Sequence, residues 1–217
     1  MPQIQVLIDN PSSWFMKYYS RLVEQFSIAN LNHINLIHEA EQISHGDLLF
    51  ILSCDRILDE GYLARNKSNL VIHASDLPKG RGWAPWTWQI INGAVNIPLS
   101  LIEASEKVDA GPVYFKSSIK LNGHELIDEI REKLAYEIID MSVKYAKKWP
   151  DMVSTPQIGK PSYFPRRKKL DQKVSMDQTI SQIFNQIRVA DNQKYPLYFE
   201  HQDFEYVIHV HKRKKKN

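Results

Sequence analysis

Short, almost wholly apolar runs alternate with amphipathic stretches through the first two thirds of the chain. That alternation leaves few folds open, because it is the habit of a sheet whose parallel strands are joined by helices. Gln5 to Ile8 opens as a strand, and Ser12 or Ser13 caps a helix whose apolar face carries Trp14, Phe15, Tyr18, Leu22 and Phe26. Ile34 to Ile37, Leu48 to Leu52 and Leu70 to Ile72 read as three further strands free to lie side by side. Each is nearly all apolar, as required where both faces are covered. A helix from Pro85 to Ile91 stops at Asn92-Gly93. Residues 97 to 103 and 112 to 121 then have strand character, and Asp109-Ala110-Gly111-Pro112 between them demands a tight loop. The longest helix is expected from Asn122 to about Lys148, with Leu126, Ile130, Leu134, Ile138, Met141 and Tyr145 forming its buried stripe.

After Trp149-Pro150 the pattern changes to Pro-bearing loops, a helix and a strand pair, so a soft boundary is expected near 150. Ser175 and Gln178 read as a capping box for that helix, with Ile180, Ile183, Phe184 and Ile187 as its buried face. Residues 196 to 200 and 204 to 211 read as a hairpin through Gln202-Asp203. The fold class expected is α/β: a Rossmann-like domain over residues 1–150, its mainly parallel sheet flanked by helices, and a small C-terminal α/β subdomain over residues 151–217.

A chain of 217 residues with 43% hydrophobic content can bury a core of that size. No apolar run approaches a membrane span, and MPQIQVLIDN lacks the pattern of a secretion signal, so a cytoplasmic protein is the expectation. A single cysteine, Cys54, can form neither an internal disulfide nor a cysteine cluster for zinc. The formal charge of +3 comes from the end: HKRKKKN holds five Lys or Arg, and without them the chain stands at −2. The 212–217 tail reads first as a solvated end and second as a patch for acidic partners, which would make the chain a nucleic-acid-binding module. FPRRKK, with Arg166 and Arg167, is an internal basic cluster suited to anionic groups.

The chain has no GxGxxG, GxxxxGK[ST] or GxSxG motif and no closely spaced His/Cys metal set, which disfavours dinucleotide oxidoreductases and P-loop enzymes. Two stretches stand out: SNLVIHASDLPKGRGWAPWTWQIING, residues 68 to 93, and VDAGPVYF, residues 108 to 115. Both resemble the formyltransferase superfamily of folate enzymes. The first is similar to the strand, catalytic His and following loop of methionyl-tRNA and nucleotide-sugar N-formyltransferases, and the second to their Asp-x-Gly-Pro loop. His73 and Asp109 stand 36 residues apart in the family's order. FILSCDRILDE resembles the folate-facing loop, with Ile57 and Leu58 where backbone meets the pterin. SYFPRRKKLDQKVSMDQTISQIFNQIRVAD resembles the segment after the core of sugar N-formyltransferases, so that Tyr163, Arg166, Arg167, Asp171, Asn185 and Arg188 match. HASDLPKG is nearest to the pseudaminic-acid-pathway type.

The resemblance implies formyl transfer from 10-formyltetrahydrofolate to a UDP- or dTDP-linked amino sugar, without a metal, and a homodimer. His73 and Asp109 would be catalytic, Ile57, Leu58 and Asp109 would meet the folate, and Lys79, Arg81, Trp83, Arg166 and Arg167 the acceptor. The chemistry suits those residue types: the amine must lose a proton and the folate nitrogen must gain one, so one His steadied by a carboxylate can serve both ends. The family's Asn two residues before the His is Val71 here, which cannot donate a hydrogen bond. Ser75, two residues after His73, is the candidate helper for the oxyanion, together with His73 itself.

Plainer readings exist for each. Asp109 before Ala-Gly-Pro shapes a turn, Lys79 to Gly82 is a solvated loop, Trp83, Trp86 and Trp88 pack, and the Arg pair braces the subdomain. Methionyl-tRNA formylation is disfavoured because its enzymes resemble longer chains with an extra barrel domain. Glycinamide ribonucleotide formylation shares the His and Asp but not the sugar-enzyme segment.

Overall fold

A computed structural model describes residues 1–215. Lys216 and Asn217, at the tip of the basic tail, lie outside the described residues. The strands are β1 (Ile4–Leu7), β2 (Ile34–Ile37), β3 (Gly46–Ile51), β4 (Asn66–His73), β5 (Arg81–Gly82), β6 (Asn96–Glu103), β7 (Val113–Lys120), β8 (Tyr163–Phe164), β9 (Leu197–His201) and β10 (Phe204–Ile208). The helices are α1 (Tyr19–Ile28), α2 (Glu60–Leu63), α3 (Pro85–Ile91), α4 (Ile127–Lys148) and α5 (Ile180–Arg188).

Six strands form one sheet in the order β2-β1-β3-β4-β6-β7. The first four are parallel neighbours, β6 pairs antiparallel with β4, and β7 pairs antiparallel with β6. The three strands expected side by side are therefore split, because β1 pairs with both β2 and β3. Every residue of β1 is buried, so it belongs inside the sheet, whereas β2 buries only Ile37 and suits the edge.

Side chains alternate between the two faces. Leu48 and Phe50 of β3 join the main core with Val6, Leu22, Phe26, Ile130, Leu134 and Tyr145. Leu49 and Ile51 join a smaller cluster on the opposite face with Leu7, Ile37 and Leu58. The aromatic rings of Phe26, Phe50 and Tyr145 meet edge-to-face across the main core. Within β4 the same alternation sends Leu70 into the main core and turns Val71 and His73 to the other face.

α4 starts at Ile127 rather than Asn122, because the Glu125 carboxylate accepts hydrogen bonds from the N–H groups of Asn122, Gly123 and His124 and holds them in a turn. Leu126 consequently precedes the helix, and the buried stripe runs through Ile130, Leu134, Met141 and Tyr145. α5 likewise starts one turn after the expected box: Thr179 and Gln182 cap it, while Ser175 and Gln178 close a separate turn. Its buried face is narrower than expected. Ile183 packs with Val174, Ala190 and Leu197, but Ile180 and Phe184 are exposed.

Candidate active site

A cavity of about 480 Å³ opens at the carboxyl ends of β3 and β4. The strand order reverses direction around β1, and open α/β sheets characteristically receive ligands at such a point. His73 is the last residue of β4, and Asp109 lies in the β6–β7 loop; both line the cavity.

The two side chains meet with His73 Nδ1 3.3 Å from Asp109 Oδ1. On the other edge of the ring, His73 Nε2 is 2.8 Å from the Gly80 carbonyl. A carbonyl can only accept, so Nε2 carries a hydrogen and Nδ1 is the nitrogen that can exchange one. Asp109 Oδ2 in turn accepts from the Gly82 N–H at 2.8 Å. Asp109 sits at φ +49°, a left-handed conformation that Asp tolerates better than most residues. Gly111 is required two residues later, since a Cβ there would lie 1.7 Å from the Glu103 carbonyl oxygen.

Deeper in the cavity Ile51, Leu52, Leu58, Leu63, Val71 and Ile102 supply an apolar wall. Among the described residues the backbone N–H and C=O groups of Ile57 and Leu58 make no hydrogen bonds, while Ile57 and Leu58 both line the cavity. An apolar slot rimmed by free peptide groups fits a flat heteroaromatic ring with polar edges, as in a reduced folate. Cys54 lines the same cavity, but burial and its bond to Asp9 push its thiol up to about 12, so it is no nucleophile at neutral pH.

The mouth is charged. The Arg166 guanidinium lies over the Trp83 ring, 4.4 Å from its centroid, and Nη2 is 3.0 Å from Asp55 Oδ2. Arg167 also lines the cavity, its Nε buried and, among the described residues, without a hydrogen-bond partner. Burial lowers its pKa, with Asp171 and Tyr195 opposing. A guanidinium with an unfilled donor at a cavity wall is suited to an anionic group. A second cavity of about 790 Å³ shares Trp14, Ser53, Asp55, Arg131, Asp191 and Tyr195 with the first, so the crevice has room for two ligands.

Ser75, Lys79 and Arg81, three of the expected residues, are not brought to the cavity. Ser75 is 2% exposed, and its hydroxyl is buried beneath the loop without a partner, so it offers no direct contact with an oxyanion. Lys79 is exposed outside the cavity, and Arg81 turns its guanidinium to Gln157. Asn69, set back along β4, spends its amide on Leu63 and Glu103. Arg131, Asp191 and Tyr195 line both cavities, and no motif in the sequence pointed to them. Lys212 of the tail pairs with Glu129. Among the described residues, no helix is long and apolar enough to cross a membrane.

Comparison with known proteins gives the same picture. A methionyl-tRNA formyltransferase of Thermodesulfovibrio yellowstonii is 29% identical over 145 residues, covering 65% of this chain and 47% of that protein. The chain thus spans about half the length of the curated relatives it matches. Among solved structures, HypX from Aquifex aeolicus in complex with tetrahydrofolic acid matches with a TM-score of 0.75 at 16% identity, over 92% of this chain and 36% of that one. A 4-N formyltransferase from Francisella tularensis matches with a TM-score of 0.73 at 16% identity, over 99% of both chains. The family model described as Formyl transferase matches residues 20–140, more than half of the sequence, and the chain belongs to that family.

Proposed function

We propose that this chain transfers the formyl group of 10-formyltetrahydrofolate to the amino group of a nucleotide-linked amino sugar, of the UDP- or dTDP-4-amino-4,6-dideoxy type, as an enzyme nearest to the pseudaminic-acid-pathway kind. The observation that carries the reading is the His73–Asp109 pair, 3.3 Å apart, between an apolar slot with free peptide groups and a mouth bearing Arg166, Arg167 and Trp83. Membership of the formyl transferase family supports the reaction, and the tetrahydrofolic acid bound by HypX supports the donor. The match to the Francisella tularensis 4-N formyltransferase over 99% of both chains supports a sugar acceptor. Residues 1–150 would form the catalytic domain, and residues 151–217 a small C-terminal subdomain that contributes Arg166 and Arg167.

In this reading a neutral amine attacks the formyl carbon while negative charge grows on the formyl oxygen. The amine nitrogen loses a proton, the bond from the formyl carbon to the folate nitrogen breaks, and that nitrogen gains a proton. His73 exchanges protons through Nδ1, because Nε2–H is held by Gly80. Asp109 orients the ring and balances its charge when both nitrogens are protonated. Val71 offers no donor where the family has Asn, and Ser75 is walled off, so His73, once it has taken the amine's proton, is the donor to the formyl oxygen before that proton passes to the folate nitrogen.

The 29% identity to a methionyl-tRNA formyltransferase favours a second reading, in which the amine belongs to a charged tRNA. One assay separates the two: the protein is mixed with 10-formyltetrahydrofolate and, in parallel, UDP- and dTDP-linked amino sugars or methionyl-tRNA. A gain of one formyl group on a sugar nucleotide, detected by mass, supports the proposal. Formylation of methionyl-tRNA alone would replace it with the second reading.

A further inference from the structure

We infer that Gln157, which lies beyond the residues matched by the family model and lines neither cavity, is a positioning residue that sets the Asp109 loop; the inference rests on the formyl-transfer reading. Its side-chain amide nitrogen donates to the carbonyl oxygens of both Asp109 and Gly111, each at 2.8 Å. Its amide oxygen accepts from Arg81 Nε at 3.2 Å and Nη2 at 2.7 Å. Both donors and both acceptor sites of the amide are filled. Gln157 thus grips the backbone on either side of Ala110, while the Gly82 N–H, next to Arg81, grips the Asp109 carboxylate at 2.8 Å.

The ring of contacts closes through the 155–164 segment. Thr155 exchanges two backbone hydrogen bonds with Val113 at 2.8 Å each, which brings Gln157 alongside the loop. Ser162 Oγ accepts from the Gly80 N–H at 2.9 Å, and Gly80 is the residue whose carbonyl holds His73. One segment therefore braces both halves of the pair. Asp109, at φ +49°, needs such support, because a left-handed non-glycine residue persists only where its surroundings over-determine it.

Two variants separate positioning from bulk stability. Gln157→Leu removes every polar contact. Gln157→Glu keeps an acceptor for Arg81 but turns a carboxylate on the Asp109 and Gly111 carbonyls. With 10-formyltetrahydrofolate and a UDP-linked 4-amino-4,6-dideoxy sugar, both should lower kcat by roughly tenfold to a hundredfold, as expected for a misplaced catalytic group. KM for either substrate should stay within about twofold, and Gln157→Glu should melt with the wild type. In an Asp109→Asn background, Gln157→Leu should change kcat by less than about twofold, since groups acting through one another are not additive. Normal kcat in Gln157→Glu, a loss confined to KM, or an undiminished loss in the Asp109→Asn background would each overturn the inference. Hydrogen exchange of the 107–113 peptide tests it without the reaction. Faster exchange in Gln157→Leu, with the sheet unchanged, supports the grip and unchanged exchange refutes it, even if the wild type formylates nothing.

Discussion

At the inner end of the crevice, His73 and Asp109 are held by backbone: the Gly80 carbonyl on one ring nitrogen, the Gly82 N–H on one carboxylate oxygen, and two glycines where no side chain fits. At its outer end, Arg166 has a side chain 64% exposed and is kept in place by a single ion pair with Asp55 and the face of Trp83. Exposed pairs of that kind contribute little to stability. The contrast teaches a division of labour for the proposed reaction: the His73–Asp109 pair is fixed by fold geometry that few substitutions can leave intact, while the proposed acceptor contacts sit on side chains that can change without disturbing the fold. Such sites retune their substrate more easily than their reaction.

The largest effect that would break this contrast is the first to seek. His73→Ala should lower kcat by at least about a hundredfold, the loss of a positioned acid–base group, with little change in melting temperature. Gly111→Ala should come close to it, because a Cβ 1.7 Å from the Glu103 carbonyl forces the Asp109 loop outward. Its kcat should fall at least about tenfold. Near-wild-type turnover in that variant would show that the inner end is not rigidly specified.

Next comes a buried joint between α4 and α5. Glu125 and Arg188 are both buried and pair at 3.5 Å, linking the start of α4 to the end of α5. Burial works against the Glu125 charge, but Lys133 and the neighbouring N–H groups outweigh it and hold the carboxyl at about 2. A folded value below the ordinary carboxylate range gives stability that is complete above that range and is lost as pH falls from roughly 4.5 towards 2. Denaturant unfolding should show Glu125→Gln destabilised at neutral pH by about 3 kcal/mol, as when a buried ion pair loses one partner, with a flatter loss of stability in acid than the wild type. The smallest effect is expected at the mouth. Arg166→Ala should raise KM for the acceptor a fewfold, leaving kcat and unfolding unchanged, since the pair it breaks is solvent-exposed.

Much of this was legible in the sequence. Apolar runs marked β1 to β4, and Pro85 and Asn92-Gly93 bracketed α3. HAS and DAGP marked His73 and Asp109, the two side chains that meet at the cavity. What escaped was set by contacts distant in sequence. β2 went to the far side of β1 because the choice of neighbour depends on which strand buries both edges. The turn before α4 was hidden because it depends on the Glu125 carboxylate folding back on three N–H groups. Ser75 and Arg81 carry functional-looking side chains in a motif-rich stretch, yet the loop turns one inward and the other to Gln157. Gln157 itself carried no local signal, being an ordinary residue in a Pro-bearing segment. Its meaning comes from the two carbonyls that it meets.

The measurement that bears most directly on the central claim is a single turnover with 10-formyltetrahydrofolate labelled in its formyl carbon, run with the wild type and with Asp109→Asn. The wild type should move the label onto the sugar amine with one tetrahydrofolate released per product, and the variant should do so at least about a hundredfold more slowly. Label lost to water as formate in the wild type, or passed to the amine equally fast by the variant, would contradict that claim.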